Sequence, residues 1–228
     1  MNDPMLTCRD ASSPWAGDMT FTPDESWTTT RTHGHWYNAC ADFALEKLGN
    51  GGGHSCLVIG SPIFEALELS AARWAVTYLD VREPPKDSGL TWLKADATNI
   101  PLPDASVDAV SSTCVLCHAG LGRYGDARDL DGDAHMISEI ARVLKPGGKA
   151  AIGFGPTADC EGVHFAGTLH RVYSPQAVHN LCAMASLEVL KLKIFSRVRN
   201  DWLLAGETMT KELDRPDYLC VFLRKNTT

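Results

Sequence analysis

The sequence lacks an uninterrupted apolar run of about 18 residues, the minimum for a membrane-spanning helix, so no contact with a membrane is expected. It also lacks an excess of basic residues: 21 Lys and Arg stand against 28 Asp and Glu, for a net charge of −7. That balance argues against a nucleic-acid partner, because phosphate binding requires a basic surface. The first residues contain no basic stretch followed by an apolar one, so we expect no secretory signal and a cytoplasmic location.

Cysteines are plentiful by comparison, with 8 scattered through apolar segments. Without an evident leader, they are better interpreted as reduced core thiols than as a disulfide framework. Two of them belong to the run Cys114-Val-Leu-Cys-His118, which has the spelling of a c-type haem attachment site. Covalent haem attachment normally follows export, so the missing leader argues against haem.

Two other interpretations of this run remain open. One is a redox dithiol, although the run lacks the thioredoxin-like setting that such a pair requires. The other is a zinc site built from three residues of the run and one distant ligand: Cys114, Cys117 and His118, with Cys160, His164 or His170. Adjacent Cys-His ligation is unusual and no second ligand pair is evident, so we expect no bound metal.

Short apolar runs alternate with helical patterns from Cys56 onward, which is typical of parallel strands joined by crossover helices. Five strands are predicted first: Cys56–Gly60, Ala75–Asp80, Thr91–Lys94, Val107–Ser112 and Lys149–Phe154. Two more strand-like runs follow, Leu187–Phe195 and Tyr218–Leu223. Helices are predicted over about Thr32–Leu48, Ser61–Arg73, Asp131–Leu144 and Pro175–Ala185. The predicted fold is a doubly wound α/β domain.

Ligands of such a sheet bind beyond the carboxyl ends of its strands. The first predicted strand is followed by Gly60 and Ser61, where the backbone can approach a ligand. The second ends in Asp80, about 20 residues later, which is the spacing expected of a carboxylate that binds the ribose hydroxyls of a nucleoside cofactor. The third leads to Asp96, which can accept a hydrogen bond from an adenine amino group. The fourth strand is followed by the CVLCH run itself.

The order and spacing of three elements resemble class I S-adenosylmethionine-dependent methyltransferases. These are Asp80, the run DATNIPLPDASVD from Asp96 to Asp108, and the run ARVLKPGG from Ala141 to Gly148. The resemblance covers about Cys56 to Phe154, and the remainder of the chain more loosely. Dehydrogenases, the competing class of nucleotide binders, would show G-x-G-x-x-G after the first strand, and this chain does not.

A narrower resemblance is to an uncharacterised, methyltransferase-like domain-of-unknown-function family. Four motifs carry it: IGS at residues 59–61, Asp80-Val-Arg82, GLGRYGD at residues 120–126, and HRVY at residues 170–173. That family tends to show His-x-x-Glu-His before GLGRYGD, whereas this chain has Cys114-x-x-Cys117-His118 and retains the last histidine. CVLCH is then the turn after the fourth strand, part of a substrate-facing loop, and the resemblance supports no catalytic role for its two cysteines.

The resemblance implies a Rossmann-like, mostly parallel seven-stranded sheet and S-adenosylmethionine as cofactor. Residues 1–24 are expected to form a flexible arm, and residues 25–228 a single domain. Within it we distinguish a helical lid (25–50), a cofactor-binding core (56–155) and a substrate-side half (156–228). Five N-terminal residues could cover the substrate or simply pack in a helix: Trp27, His33, His35, Trp36 and Tyr37.

The expected reaction is methyl transfer to oxygen or nitrogen of a small polar metabolite, such as a sugar or natural-product intermediate, by a monomer or a homodimer. Candidate cofactor contacts are Gly60, Ser61, Asp80, Arg82, Asp96, Ala97 and Thr113. His118 is the candidate general base, with Asp126 or His170 orienting it or the acceptor. Arg123, Tyr124 and Asp126 could instead anchor the loop through an Arg–carboxylate pair. A non-catalytic cofactor-binding subunit and a zinc protein are the alternative functions.

Overall fold

The structure, a computed structural model, describes residues 35–83, 88–166, 170–196, 198–211 and 217–227. The expected N-terminal arm and the first part of the expected lid lie outside the described residues. The helices are α1 His35–Leu48, α2 Ile63–Ala71, α3 Gly132–Val143 and α4 Pro175–Met184. The first strands are β1 Ser55–Ile59, β2 Ala75–Asp80, β3 Thr91–Lys94, β4 Val107–Thr113 and β5 Leu144–Thr157. The others are β6 Val163–Ala166, β7 His170–Tyr173, β8 Leu187–Ser196, β9 Asp201–Trp202 and β10 Asp217–Lys225.

The strands form one sheet in the order β3-β2-β1-β4-β5-β10-β8-β9, and the β6–β7 hairpin joins it at the end of β5. Strands β1 to β5 are parallel to one another, whereas β10 is antiparallel to both β5 and β8. The expected doubly wound, mostly parallel α/β sheet is therefore confirmed. The expected number of seven strands is wrong, because the part of the chain that the structure describes contributes ten.

The additional strands are β6, β7 and β9, which are 4, 4 and 2 residues long. Segments this short carry few residues to display a periodic apolar pattern, although β3, also 4 residues long, was predicted. The other seven strands are the seven that were predicted. The three strands that were not predicted are additions to the expected sheet. One of them, β7, carries the candidate site residue His170.

Strand β5 begins earlier than predicted, directly after α3. The turn-like segment Pro146-Gly-Gly148 lies inside the strand, where the register against β4 shifts. Val107 pairs with Leu144, but Ala109 pairs with Lys149, so β5 carries several extra residues there. Gly147 accommodates this bulge with a φ of +75°. The prediction ended the helix at about Leu144 and began the strand at Lys149, whereas the segment between them is a bulge within β5.

Both faces of the sheet are covered, and β1 shows this directly. Leu57 and Ile59 pack in the core beneath α3 and α4, whereas Cys56 and Val58 pack against α2 on the opposite face. A strand buried on both faces reads as a continuous apolar run, which is why it was predictable. None of the helices within the described residues is long and apolar enough to cross a membrane.

Candidate active site

The carboxyl ends of β1, β2, β3 and β4 lie side by side along one edge of the sheet, because these strands are parallel. The strand order reverses at β1, with β2 on one side and β4 on the other. Such a switch point opens a crevice at the strand ends. The residues that follow these four strands therefore define the candidate site.

The turn after β1 is shaped by its contacts with the end of β4. Gly60 has a φ of +52°, and a Cβ at this position would lie 2.9 Å from Val115 Cγ2. Ser61 is buried, and its Oγ accepts a hydrogen bond from Thr113 N at 2.7 Å. Tyr78 donates its hydroxyl to the carbonyl of Ser61. The structure thus brings together Gly60, Ser61 and Thr113, three of the predicted cofactor contacts, although Ser61 and Thr113 are bonded to each other.

Asp80 closes β2 and is only 5% exposed. Its Oδ1 accepts from Arg82 N and Arg82 Nε, both at 2.9 Å, and its Oδ2 accepts from Arg82 Nη2 at 2.7 Å. A carboxylate offers about four acceptor positions, and Arg82 takes three of them. In this structure Arg82 is therefore a partner of Asp80. If two ligand hydroxyls are to bind Asp80, Arg82 must release at least one of its three hydrogen bonds to that carboxylate.

Asp96 follows β3 and forms a local turn. Its Oδ1 accepts from both Thr98 N and Thr98 Oγ1 at 2.8 Å. This pairing fixes the orientation of the carboxylate, in the manner of an Asx turn. The next residue, Ala97, is buried. The turn places a fixed acceptor at the same sheet edge as Asp80.

The two cysteines of the CVLCH turn are buried behind small residues of β5. Cys117 Sγ lies where a Cβ on Gly155 would come within 2.7 Å, and it contacts the Cys114 carbonyl at 3.5 Å. Burial raises the pKa of Cys117 to about 12 and that of Cys114 well above its ordinary value. Both are neutral thiols at neutral pH, the form least reactive with electrophiles and metals. Within the described residues, no group of three His, Cys, Asp or Glu side chains could hold a metal ion.

His118, unlike the cysteines, belongs to a cluster of polar rings. Its ring centroid lies 5.7 Å from that of Tyr124 and 6.2 Å from that of His170. Arg123 Nη1 lies 3.5 Å from His118 Nδ1, and a guanidinium can only donate. In this contact His118 is a neutral ring that accepts at Nδ1 and carries its proton on Nε2.

His170 is the first residue of β7. Burial, reinforced by the Arg123 charge, lowers the pKa of His170 to about 4. The imidazole is therefore neutral over the physiological range. A group with so low a pKa is a weak proton acceptor, so among the two predicted histidines His118 is the better base and His170 suits hydrogen bonding.

Asp126, the third predicted catalytic residue, accepts hydrogen bonds from the backbone of its own turn. Its Oδ2 accepts from Gly122 N at 3.1 Å, and its Oδ1 accepts from Tyr124 N at 3.0 Å. These two bonds shape the GLGRYGD segment and thereby hold the Tyr124 ring in place. In this geometry Asp126 stabilises the loop. The sequence prediction was that Asp126 orients His118 or the acceptor.

The loop is anchored by residues whose part in the site was not predicted. Arg171 is fully buried; its Nη1 donates to the Ala119 carbonyl at 2.6 Å and its Nη2 to the Leu130 carbonyl at 3.0 Å. Its Nε lies 3.6 Å from Asp133 Oδ2, which also accepts from Tyr173 Oη at 3.2 Å. An Arg–carboxylate anchor was one expected alternative, but the arginine is in β7. Its signal was the HRVY motif, in which only His170 had been assigned a role.

Of the five residues considered for a lid, Tyr37 is the one with a described side chain. Burial raises the pKa of its phenol, and the nearby Cys114 and Tyr124 add to the effect. Tyr37 thus lies close to the turn after β4. Helix α1 itself packs on β4, β5 and β10. Both the packing and the covering interpretation are compatible with that position, and the lid stays a prediction.

Comparison with known proteins agrees with this geometry. Residues 47–152 match the sequence profile of a methyltransferase domain family. Malonyl-[acyl-carrier protein] O-methyltransferase of Methylococcus capsulatus is 35% identical over 106 residues, which are 46% of this chain and 34% of that protein. The aligned segment thus spans about a third of the relative's length.

Three solved structures share the fold. The 1,6-didemethyltoxoflavin-N1-methyltransferase of Burkholderia thailandensis, solved with S-adenosylhomocysteine, has a TM-score of 0.63 at 15% identity, covering 83% of this chain and 78% of that one. The [4+2]-cyclase SpnF has a TM-score of 0.63 at 18% identity, covering 84% and 81%. The geranyl diphosphate C-methyltransferase of Streptomyces coelicolor has a TM-score of 0.60 at 13% identity, covering 86% and 82%.

The strand order and these likenesses define the fold: the chain has the Rossmann-like fold that these methyltransferase structures share. The methyltransferase profile matches 106 of the 228 residues, within the part of the chain that forms β1 to β5. Because a nitrogen methyltransferase, a carbon methyltransferase and a cyclase share this fold, the fold alone does not specify the reaction.

Proposed function

We propose that the chain transfers a methyl group from S-adenosylmethionine to an oxygen or nitrogen atom of a small polar metabolite, such as a sugar or natural-product intermediate. One observation carries this proposal: a chain of side-chain contacts joins the predicted cofactor carboxylate to the predicted base. Asp80 binds Arg82, and the Arg82 guanidinium lies 5.2 Å from the centre of the Tyr124 ring. Tyr124 in turn packs against His118.

The residues present fit the cofactor. Gly60 leaves room for close backbone approach at the switch point, Asp80 supplies carboxylate oxygens for the ribose hydroxyls, and Asp96 supplies an acceptor for the adenine amino group. Ala97 and Thr113 would line the same cleft. When bound, S-adenosylmethionine supplies a methyl group that is activated by its sulfonium.

Residues of this chain would position the acceptor and remove its proton. Methyl transfer is an in-line displacement, so positioning supplies most of the rate acceleration. A neutral His118 removes the acceptor's proton once Arg123 moves away from Nδ1, which leaves the lone pair of that nitrogen free. His170 supplies a neutral hydrogen-bonding ring whose centroid lies 6.2 Å from that of His118.

Calorimetry with S-adenosylhomocysteine tests the cofactor assignment. Asp80→Asn and Asp80→Ala remove charge-assisted hydrogen bonds worth about 1.5–3 kcal/mol each, so affinity should fall at least about tenfold. The matched control is Asp104→Ala, whose carboxylate is exposed. Unchanged affinity in both Asp80 variants, or no binding by the wild-type protein, would contradict the proposal.

A cofactor-binding subunit without transfer activity is the second candidate function. It is favoured by the replacement of two polar family positions by the buried thiols Cys114 and Cys117. Incubation with labelled S-adenosylmethionine and a pool of polar metabolites separates the two candidates. Binding without labelled product across that pool would favour the subunit.

A further inference from the structure

Glu65 is a buried carboxyl group close behind the turn that follows β1. It lies in the first turn of α2, has 0% relative exposure, and is surrounded in sequence by the apolar residues Ile63, Phe64 and Ala66. Ser111 Oγ donates to its Oε1 at 2.6 Å. Its Oε2 has no hydrogen-bond partner among the described residues. Burying a carboxyl group with one unbonded oxygen costs free energy, so the position of Glu65 calls for an explanation.

The neighbours of Glu65 connect it to the candidate cofactor site. Ser111 lies on β4 two positions before Thr113, whose backbone N–H bonds Ser61 Oγ. Ser61 lies four positions before Glu65, at the start of the same turn and helix. The carboxyl group therefore stands behind the backbone that the methionine part of the cofactor is expected to approach.

The groups around Glu65 stay neutral at neutral pH, with the exception of Cys40. Burial raises the pKa of Glu65 to about 7, opposed by the hydrogen bond from Ser111. Burial also raises the pKa of Cys56 on β1 and of Tyr78 on β2, and a bond with Cys40 together with burial raises that of Cys220 on β10. Cys40 on α1 contacts Cys220 with 3.3 Å between the two sulfur atoms. Hydrogen bonds with Cys114 and Cys220 lower the pKa of Cys40 to about 5, and the negative charge of Cys40 helps to raise the pKa of Glu65.

We propose that Glu65 is a positioning residue that senses the charge on the cofactor sulfur, becoming anionic when the sulfonium is bound and protonated when the demethylated thioether replaces it. This inference rests on the proposed function. An anionic Glu65 attracts the sulfonium, whereas a neutral one does not distinguish it from the thioether. Binding of the sulfonium therefore releases a proton from Glu65 to solvent, and loss of the methyl group returns a proton to it.

The expected size follows from electrostatics. Two unit charges roughly 10 Å apart, at an effective dielectric constant near 20, interact strongly enough to change an affinity by about tenfold. The two ligands share every other charged group, so their affinity ratio isolates the sulfur. By linkage, the preference for S-adenosylmethionine over S-adenosylhomocysteine should rise by about fivefold from pH 6 to pH 8.5.

The experiment measures both dissociation constants by calorimetry across this pH range, in buffers of different ionisation enthalpy, so that proton release is recorded too. In Glu65→Gln the ratio should be independent of pH. Glu68→Gln, on the same helix, is the matched control and should behave as the wild type. Cys40→Ser tests the neighbouring thiol and should leave the slope intact. If Glu65→Gln does not fold, Glu65→Asp retains the acid and should retain a slope of the same sign.

The outcomes are separable. If the wild type binds both ligands with a constant affinity ratio, the inference is wrong and the proposed function stands. If it binds neither, the proposed function fails and this inference fails with it. A third readout needs no ligand: the Glu65 carboxyl carbon, followed by NMR in the free protein, should titrate near pH 7. A midpoint below about 5 would overturn the inference, as would a slope that disappears in Cys40→Ser.

Discussion

Two halves of the candidate site are held in place in different ways. On the cofactor half, Asp80 binds Arg82 and Asp96 binds Thr98, in each case two residues away in sequence. On the acceptor half, Arg171 binds carbonyls 52 and 41 residues away, and Tyr173 binds Asp133 across 40 residues. The two cofactor carboxylates are thus oriented by local turns, although Ser61 and Thr113 bond across 52 residues, whereas the acceptor loop is held from β7.

This difference implies a separation of effects. A substitution in the cofactor half should alter ligand affinity with little effect on folding. A substitution at the anchor of the acceptor loop should cost stability first and activity as a consequence. A substitution of a catalytic side chain on the anchored loop, such as His118, should have a third effect. It should lower turnover and leave both folding and cofactor binding unchanged.

The largest effect is expected for Arg171→Met. It leaves Asp133 buried without its cationic partner, which typically costs about 3–5 kcal/mol. Urea denaturation should show this loss in the free energy of unfolding, while Arg128→Met, an exposed arginine of the same loop, should change it by less than about 0.5 kcal/mol. A loss below about 1 kcal/mol for Arg171→Met would mean that the loop is not anchored through this side chain.

His118→Ala should lower kcat by about 100-fold, or about 2.7 kcal/mol, once an acceptor is known, because a general base contributes about that much. Cofactor affinity and unfolding free energy should stay near wild-type values. His135→Ala, whose imidazole is exposed and pairs with Asp129, is the control. If kcat falls less than about fivefold, His118 is not the base, and positioning alone accounts for the reaction.

His170 should make the acceptor half sensitive to acid. Because its pKa in the folded protein is lowered to about 4, below the ordinary value, the unfolded chain takes up a proton first as pH falls. The stabilisation is complete above about pH 6.5 and is lost between there and pH 4, by roughly 2 kcal/mol. Chemical denaturation from pH 7 to pH 4.5 should show that His170→Gln loses this part of the pH dependence. An unchanged profile would place the ring in solvent.

The smallest effect is expected for Asp96→Ala. If Asp96 makes one hydrogen bond to the adenine, its loss should cost about 1 kcal/mol, roughly a fivefold weaker binding of S-adenosylhomocysteine. Stability should change little, since Thr98 is the only partner that loses its bonds among those observed. A loss as large as that in Asp80→Ala would show that the two carboxylates are not ranked as proposed.

Much of the cofactor half was predictable because its determinants are local. The apolar runs of β1, β2 and β4 identify buried strands, and Asp80 and Asp96 stand at or just beyond strand ends, where parallel pairing must gather them. The position of His118 just past β4 followed from the same reasoning. What failed concerns short or irregular elements: the β6–β7 hairpin, and the bulge at Pro146-Gly-Gly148 that lengthens β5.

The sequence by itself determined the order of the four helices and of seven strands, and which polar residues close or follow the first strands, because apolar periodicity and turn chemistry act over a few neighbouring residues. Only the tertiary structure decided what those residues meet. Cys117 is buried because Gly155 leaves room for it, Arg171 reaches the acceptor loop from β7, and Glu65 turns from α2 toward Ser111 on β4. Each of these contacts joins segments far apart in the chain, so it depends on the packing of the whole sheet.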